Sequence, residues 1–124
     1  MFGLNGKSRK AVEILRKYRL CDYESKAYVS LLLLGESKVA DISAKSNIPN
    51  GKIYYALQNL QRKRLVEKTG EFPSKFVALP FEIYLADYIK TRTAEIEKLR
   101  QKRIEFRQII CSLQPIAVKH QQWE

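Results

Sequence analysis

Apolar side chains in the first half of the chain recur three and four positions apart, the spacing of amphipathic helices. Residues 8–18 predict a short basic helix with Ser8 as its N-cap. A second helix is predicted from the acidic turn after Cys21 to Gly35, a residue that favours helix ends. Ser37 is expected to cap a third, shorter helix. The chain therefore begins with three helices joined by short connections.

The pattern changes after a turn at Asn47–Asn50, whose proline disfavours the helical conformation for the residue before it. A further helix is predicted over Gly51–Arg64. Leu65–Lys68 and Lys75–Leu79 have the pattern of two short strands, joined by the Gly- and Pro-containing loop Thr69–Ser74. A helix, tight turn, second helix and β-hairpin form a winged helix-turn-helix, whose second helix enters the major groove of DNA. The predicted fold is mainly α with a small β-hairpin.

On a helical wheel, the helix over Gly51–Arg64 has an inward stripe made of Ile53, Ala56, Leu57 and Leu60. Its outward face carries no acidic side chain. Because Asn and Gln can pair with adenine and Arg with guanine, this face has the chemistry to read bases. Lysines on the hairpin are expected to hold the DNA backbone. The residues predicted to bind DNA are Lys38, Asn50, Gly51, Lys52, Tyr54, Tyr55, Gln58, Asn59, Arg62, Lys68, Ser74 and Lys75.

A second interpretation of these polar residues stays open. Any solvated surface helix shows a polar outward face, and lysines such as Lys68 and Lys75 are common on solvated edge strands. The absence of acidic residues, the preceding turn and the following hairpin together favour contact with DNA over plain solvation.

The C-terminal part, from Phe81 to Leu113, contains no Pro or Gly and predicts one long helix that ends before Pro115. Stepping by four and three gives a seam in which only Arg92 and Arg103 are not apolar. We expect this helix to pair with a second copy as a coiled coil, in an orientation that stays open. The alternative is that it folds back on its own domain. The predicted dimer interface is Leu85, Ile89, Ile96, Leu99, Phe106, Ile110 and Leu113.

Positive charge is concentrated at the N-terminal side. The 124 residues include 23 Lys and Arg against 13 Asp and Glu, a net charge of +10. Residues 1–80 hold 15 basic and 7 acidic residues, whereas residues 81–124 hold 8 and 6. A polyanion should therefore dock on the first part. The predicted organisation is a DNA-binding domain over 1–80, a dimerisation helix over 81–113 and a tail over 114–124.

Several classes of protein are disfavoured by composition. The longest apolar run, Leu31–Leu34, is too short to span a membrane, and the first ten residues lack the apolar stretch of a secretory signal. Two distant cysteines, Cys21 and Cys111, and the single His120 do not form a zinc site, and we expect reduced thiols whose redox role stays open. No catalytic constellation or glycine-rich phosphate loop is present. We expect a cytoplasmic, nucleoid-associated protein that is no enzyme and has no cofactor, metal or membrane partner.

Two motifs resemble a known family. Tyr23-Glu24-Ser25-Lys26-Ala27-Tyr28 is similar to the Tyr-Glu-x-Lys-Ala-Tyr signature of the TrmB family of archaeal transcriptional regulators. Ile48-Pro49-Asn50-Gly51-Lys52-Ile53-Tyr54 is similar to that family's recognition-helix segment, Val-Pro-x-x-Lys-Val-Tyr. The resemblance covers about Leu20–Leu79. It implies a winged helix-turn-helix and a dimeric regulator, with Lys52 and Tyr54 at DNA-facing positions.

The chain departs from the family pattern in two respects. Cys21 replaces the usual hydroxyl N-cap before the first motif and is expected to cap more weakly. Longer members carry a C-terminal effector domain that binds sugars, and this chain is expected to be a short form without it. We therefore expect no small-molecule effector.

Three functions are consistent with these observations. The leading hypothesis is a homodimeric regulator of transcription that binds double-stranded DNA, with the Gly51–Arg64 helix in the major groove and the hairpin on the backbone. One alternative is an architectural, chromatin-like protein that binds any duplex through its phosphates. Another is a winged-helix adaptor between proteins, which would have little need of an acid-free outward face.

Overall fold

The computed structural model describes residues 4–113, which contain six helices and three short strands. In chain order these are α1 Gly6–Arg16, α2 Asp22–Leu34, β1 Ser37–Lys38, α3 Val39–Ser46, α4 Asn50–Arg62, β2 Val66–Glu71, β3 Ser74–Ala78, α5 Phe81–Gln101 and α6 Arg103–Ser112. They form two compact units, one up to Asp87 and one from Tyr88 onward. The predicted tail over 114–124, with His120, lies outside the described residues.

The N-terminal caps of two helices differ from the prediction. The side chain of Asn5 accepts a hydrogen bond from the backbone N–H of Ser8 at 3.2 Å, so Asn5 caps α1. Ser8 is instead a buried residue of the first turn. Ser37 lies in β1, where its hydroxyl donates to the carbonyl oxygen of Gly35 at 2.9 Å. Lys38 therefore precedes α3 without any side-chain cap.

The helix α2 begins with a complete capping box. The Sγ atom of Cys21 accepts from the backbone N–H of Glu24 at 3.4 Å, and a carboxylate oxygen of Glu24 accepts from the N–H of Cys21 at 2.9 Å. The same carboxylate oxygen accepts from Lys63, just after α4, at 2.8 Å. The predicted end of α2 at Gly35 is confirmed, with φ +78° in the left-handed region that favours glycine.

The core of the first unit forms around α2, which packs against α1, α3 and α4. From α2, Tyr28 and Leu31 are at most 1% exposed. The predicted inward stripe of α4 is confirmed, since all of its members are buried: Ile53, Ala56, Leu57 and Leu60. Burial of one such Leu or Ile side chain contributes about 1.5–3 kcal/mol. This packing holds α4 in place with its other face in solvent.

The sheet has three antiparallel strands in the order β1-β3-β2. β1 was not predicted, because two residues are too few for an alternating pattern. The hairpin strands are longer than predicted, so only Phe72 and Pro73 separate them and the expected loop Thr69–Ser74 is wrong. Lys38 pairs with Lys75, and the register of β2 shifts between Lys68 and Gly70.

An aromatic cluster fixes the chain where it enters α5. The buried hydroxyl of Tyr28 donates to the carbonyl oxygen of Leu79 at 2.6 Å. Burial raises the pKa of Tyr28 above its ordinary value of 10.0. The Phe81 ring lies 5.7 Å from Tyr18 and 5.8 Å from Tyr84, between ring centroids. The first turn of α5 thereby belongs to the first unit.

The predicted continuous helix over Phe81–Leu113 is interrupted. α5 ends at Gln101, Lys102 leaves helical geometry, and α6 runs over Arg103–Ser112. The break falls in the polar run Gln101-Lys102-Arg103. Neither helix contains a buried residue.

Candidate nucleic-acid interface

The exposed face of α4 is confirmed as polar and free of acidic side chains. Lys52, Gln58 and Arg62 are exposed, and the rings of Tyr54 and Tyr55 are 63% and 65% exposed. Because these rings bury so little surface, they add little to the core and are available to an external partner. Whether these residues contact DNA stays a prediction.

The turn between α3 and α4 is tied by short hydrogen bonds. The Ser43 hydroxyl donates to the carbonyl oxygen of Ile48 at 2.6 Å and lies 3.0 Å from the side-chain oxygen of Asn50. The Ser46 hydroxyl accepts from the N–H of Ile48 at 3.3 Å. Asn47 adopts a left-handed conformation, with φ +59°. These contacts set the direction of α4, and they give Asn50 a positioning role beside any contact with DNA.

Two predicted DNA-binding residues of α4 also bind each other. The side-chain oxygen of Asn59 accepts a hydrogen bond from the guanidinium of Arg62. Four guanidinium N–H groups remain for another acceptor. Near the other end of the helix, a Cβ added to Gly51 would meet nothing within 4 Å, so no other part of the described protein packs against this position.

The sheet separates the predicted wing lysines. Residues directly opposite each other in an antiparallel pair share a face of the sheet. Lys38 is opposite Lys75, so their charges are neighbours on one face. Lys68 is opposite the buried Phe76 and lies on the other face. Ser74 closes the hairpin beside Glu71, opposite it in the ladder. The structure therefore brings together Lys38 and Lys75, and it does not add Lys68 to them.

The match to a family model covers residues 15–82, the segment that forms this winged helix-turn-helix. The model is described as the sugar-specific transcriptional regulator TrmB. The chain belongs to the TrmB family. The resemblance inferred from the two sequence motifs is thereby confirmed, and the TrmB segment includes all of α4 and the hairpin.

Two curated relatives of this TrmB-family chain come from Pyrococcus furiosus. The sugar-sensing transcriptional regulator TrmBL1 is 37% identical over 87 residues, which is 70% of this chain and 26% of that protein. The putative transcriptional regulator TrmBL2 is 25% identical over 109 residues, which is 84% of this chain and 41% of that protein. The chain thus spans less than half the length of either relative.

A solved structure of TrmBL2, described as an archaeal chromatin protein with a novel mode of DNA binding, has a similar fold. Its TM-score is 0.74 at 19% identity, over 94% of this chain and 45% of that one. The predicted winged helix-turn-helix fold is confirmed.

One cluster of positive charge in the TrmB-family chain lies outside the predicted DNA-binding residues. Between Gly6 and Arg19, six basic residues accompany one acidic residue, Glu13. The sequence alone shows this charge pattern, but only the structure shows which of these side chains face the helix-turn-helix.

An apolar stripe runs along the second unit of the TrmB-family chain. Leu85, before this unit, is half-buried, whereas the other residues of the predicted dimer interface are 45–80% exposed. Arg92, on the same seam, binds Glu95 at 3.2 Å and lies over the Tyr88 ring. Pairing with a second copy stays a prediction.

Within residues 4–113, no helix has the length and apolarity needed to cross a membrane. The same residues contain no group of His, Cys, Asp and Glu side chains that would suit a metal ion. Cys21 and Cys111 are both free thiols.

Proposed function

We propose that this chain is a homodimeric regulator of transcription that binds double-stranded DNA. α4 enters the major groove, and the β2–β3 hairpin lies on the backbone. The observation that carries the proposal is the exposed, acid-free face of α4, with Lys52, Gln58 and Arg62 in solvent and the opposite face locked in the core. Because packing already fixes the backbone of α4, the helix can present such side chains to base edges with little further loss of backbone conformational entropy.

The apolar stripe on α5 and α6 supports the dimer. Exposed residues such as Ile96, Leu99 and Ile110 recur along these helices, and neither helix buries a residue within the described chain. Pairing with a second copy removes this stripe from water. Two recognition helices can then read half-sites about one helical turn apart, roughly 34–36 Å. Binding of one subunit raises the effective concentration of the other.

The architectural function is the second candidate. TrmBL2, which shares the fold, is described as a chromatin protein, and the first 80 residues of this chain carry eight more basic than acidic residues. Such an excess binds any duplex through its phosphates. Both candidates place the protein on the nucleoid in the cytoplasm, and neither includes catalysis, a cofactor or a small-molecule effector.

Fluorescence anisotropy of a labelled random duplex, titrated from about 50 to 200 mM salt, tests DNA binding. We expect affinity to fall steeply with salt. An unlabelled duplex from the region upstream of the protein's own gene should compete about a hundredfold better than random duplex. Equal competition by random duplex would favour the architectural function. No binding at low salt would contradict both DNA-binding functions and favour the alternative of a winged-helix adaptor between proteins.

A charge reversal locates the binding surface. We expect Lys52→Glu with Arg62→Glu to abolish binding, because both side chains lie on the exposed face of α4. The matched control is Lys90→Glu with Lys98→Glu, two exposed lysines of α5 whose reversal changes the net charge equally. Equal losses in the two variants would show that net charge, rather than α4, governs binding.

A further inference from the structure

A cleft of about 330 Å³ lies where α1, the start of α2 and the α3–α4 turn meet. Arg9, Glu13 and Arg16 line it from α1, while Ser46 at the end of α3 and Asn47 in the following turn line it from the other side. The cleft therefore adjoins the helix-turn-helix, although none of its residues belongs to the exposed face of α4 or to the hairpin.

The cleft carries uncompensated positive charge. Its third basic residue, Lys26, is paired with Asp22 at 2.8 Å. Arg9 and Arg16 have no ion-pair partner within residues 4–113, and neither has Glu13. The two arginines are seven positions apart, so they lie on the same side of α1, about 10 Å apart along its axis. Two unpaired guanidinium groups beside one carboxylate favour an anionic occupant.

The position of the cleft relates it to DNA. Lys38, before the first residue of α3, pairs with Lys75 of the sheet, whereas Ser46, the last residue of α3, lines the cleft. In a helix-turn-helix complex the second helix lies in the major groove while the first helix crosses the DNA backbone. With α4 in the groove, α3 takes the place of that first helix, and the cleft adjoins its C-terminal end.

We infer that this cleft is a phosphate site, in which Arg9 and Arg16 bind the DNA backbone. This inference rests on the proposed function. It adds α1 to the DNA-binding surface through two of the six basic residues between Gly6 and Arg19. Guanidinium groups suit this task because they donate several hydrogen bonds to phosphate oxygens.

The test compares two charge-neutralised pairs on the same helix. Arg9→Gln with Arg16→Gln removes the cleft cations. Lys10→Gln with Lys17→Gln removes the same charge from two exposed lysines that do not line the cleft. Since all four side chains lack ion-pair partners in the described chain, both variants should fold, which circular dichroism checks.

The readout is the slope of log affinity against log salt for a random duplex. We expect the cleft pair to reduce the slope by about one to two per chain, and the control pair to change it by less than about 0.5. Glu13→Gln removes the carboxylate of the cleft and should strengthen binding. Equal slopes in the two double variants, or an unchanged slope in the cleft pair, would overturn the inference.

Two further outcomes separate the alternatives. If wild-type protein binds no duplex at 50 mM salt, the proposed function itself fails. A free phosphate ester could also occupy the cleft, and glycerol phosphate is the probe for it. If glycerol phosphate raises the thermal midpoint of the wild type but not of the cleft pair, while the two proteins share one DNA salt slope, the cleft serves a small molecule and the inference is overturned.

Discussion

The ion pair between Glu24 and Lys63 provides a sharp test of how α4 is held. The Glu24 side chain is 5% exposed, and its carboxylate accepts from the N–H of Cys21 and from Lys63, each within 2.9 Å. Lys63 also donates to the carbonyl oxygen of Arg19 at 2.8 Å. One ammonium group therefore joins the end of α4 to the start of α2 and the turn before it.

Replacing Lys63 by Met removes the charge and keeps the length of the side chain. Glu24 then stays nearly buried with a single backbone donor. Removal of one partner from a fully buried pair costs about 3–5 kcal/mol. Because the Lys63 side chain is 30% exposed, water can replace part of this interaction. A hydrogen bond to a charged group contributes about 1.5–3 kcal/mol, so we expect Lys63→Met to lower the free energy of unfolding by about 2 kcal/mol.

Urea unfolding followed by circular dichroism measures this change. The matched control is Lys26→Met, which breaks the exposed pair with Asp22, also 2.8 Å long, and should cost less than about 0.5 kcal/mol. Glu24→Gln keeps the capping geometry, since Gln also serves at this position of a capping box. It completes a double-mutant cycle with Lys63→Met. Equal losses in the two lysine variants would refute the argument that burial makes the Glu24 pair strong.

Three further predictions follow from single positions. Gly51→Ala should stabilise α4 by up to about 1 kcal/mol in urea unfolding, because an added Cβ meets open space there. If DNA approaches this backbone closely, the same substitution should weaken DNA affinity, which fluorescence anisotropy measures. Ile96→Glu with Leu99→Glu should convert a dimer into a monomer in sedimentation equilibrium, whereas Thr93→Glu with Gln101→Glu, at exposed polar positions of α5, should not. Because burial raises the pKa of Tyr28, its neutral form stabilises the fold below pH 10.0, and this contribution is lost as pH rises through the folded-state pKa. The difference in unfolding free energy between wild type and Tyr28→Phe should therefore shrink above pH 10.0 and stay constant below it.

Regular periodicity made the helical core predictable from the sequence. The stripe from Ile53 to Leu60 and the end of α2 at Gly35 depend on local spacing and backbone preference, so both were predicted correctly. The N-caps of helices were harder to predict, because Asn5 and Ser8 are both good capping residues and only the geometry selects between them.

Long-range pairing explains the remaining differences. β1 forms because Ser37 and Lys38 pair with β3, almost 40 residues later in the chain. No local sequence pattern predicts such a long-range pairing. The separation of Lys68 from Lys75 depends on the strand register, and a shift of one residue reverses the face that a side chain occupies. The predicted pairing of α5 and α6 with a second copy depends on a partner chain and is untested.

The distribution of ion pairs links folding to the proposed function. Between Leu4 and Asp87, 15 basic residues stand beside nine acidic ones, yet only Lys26 and Lys63 pair with a carboxylate within 4 Å. The Lys63 pair joins two core helices. By contrast, Lys38 and Lys75 are neighbours across the sheet, where like charges oppose folding. An acidic residue at either position would replace this repulsion with attraction. In the proposed complex, a DNA phosphate beside Lys38 and Lys75 would supply the anion that relieves this repulsion.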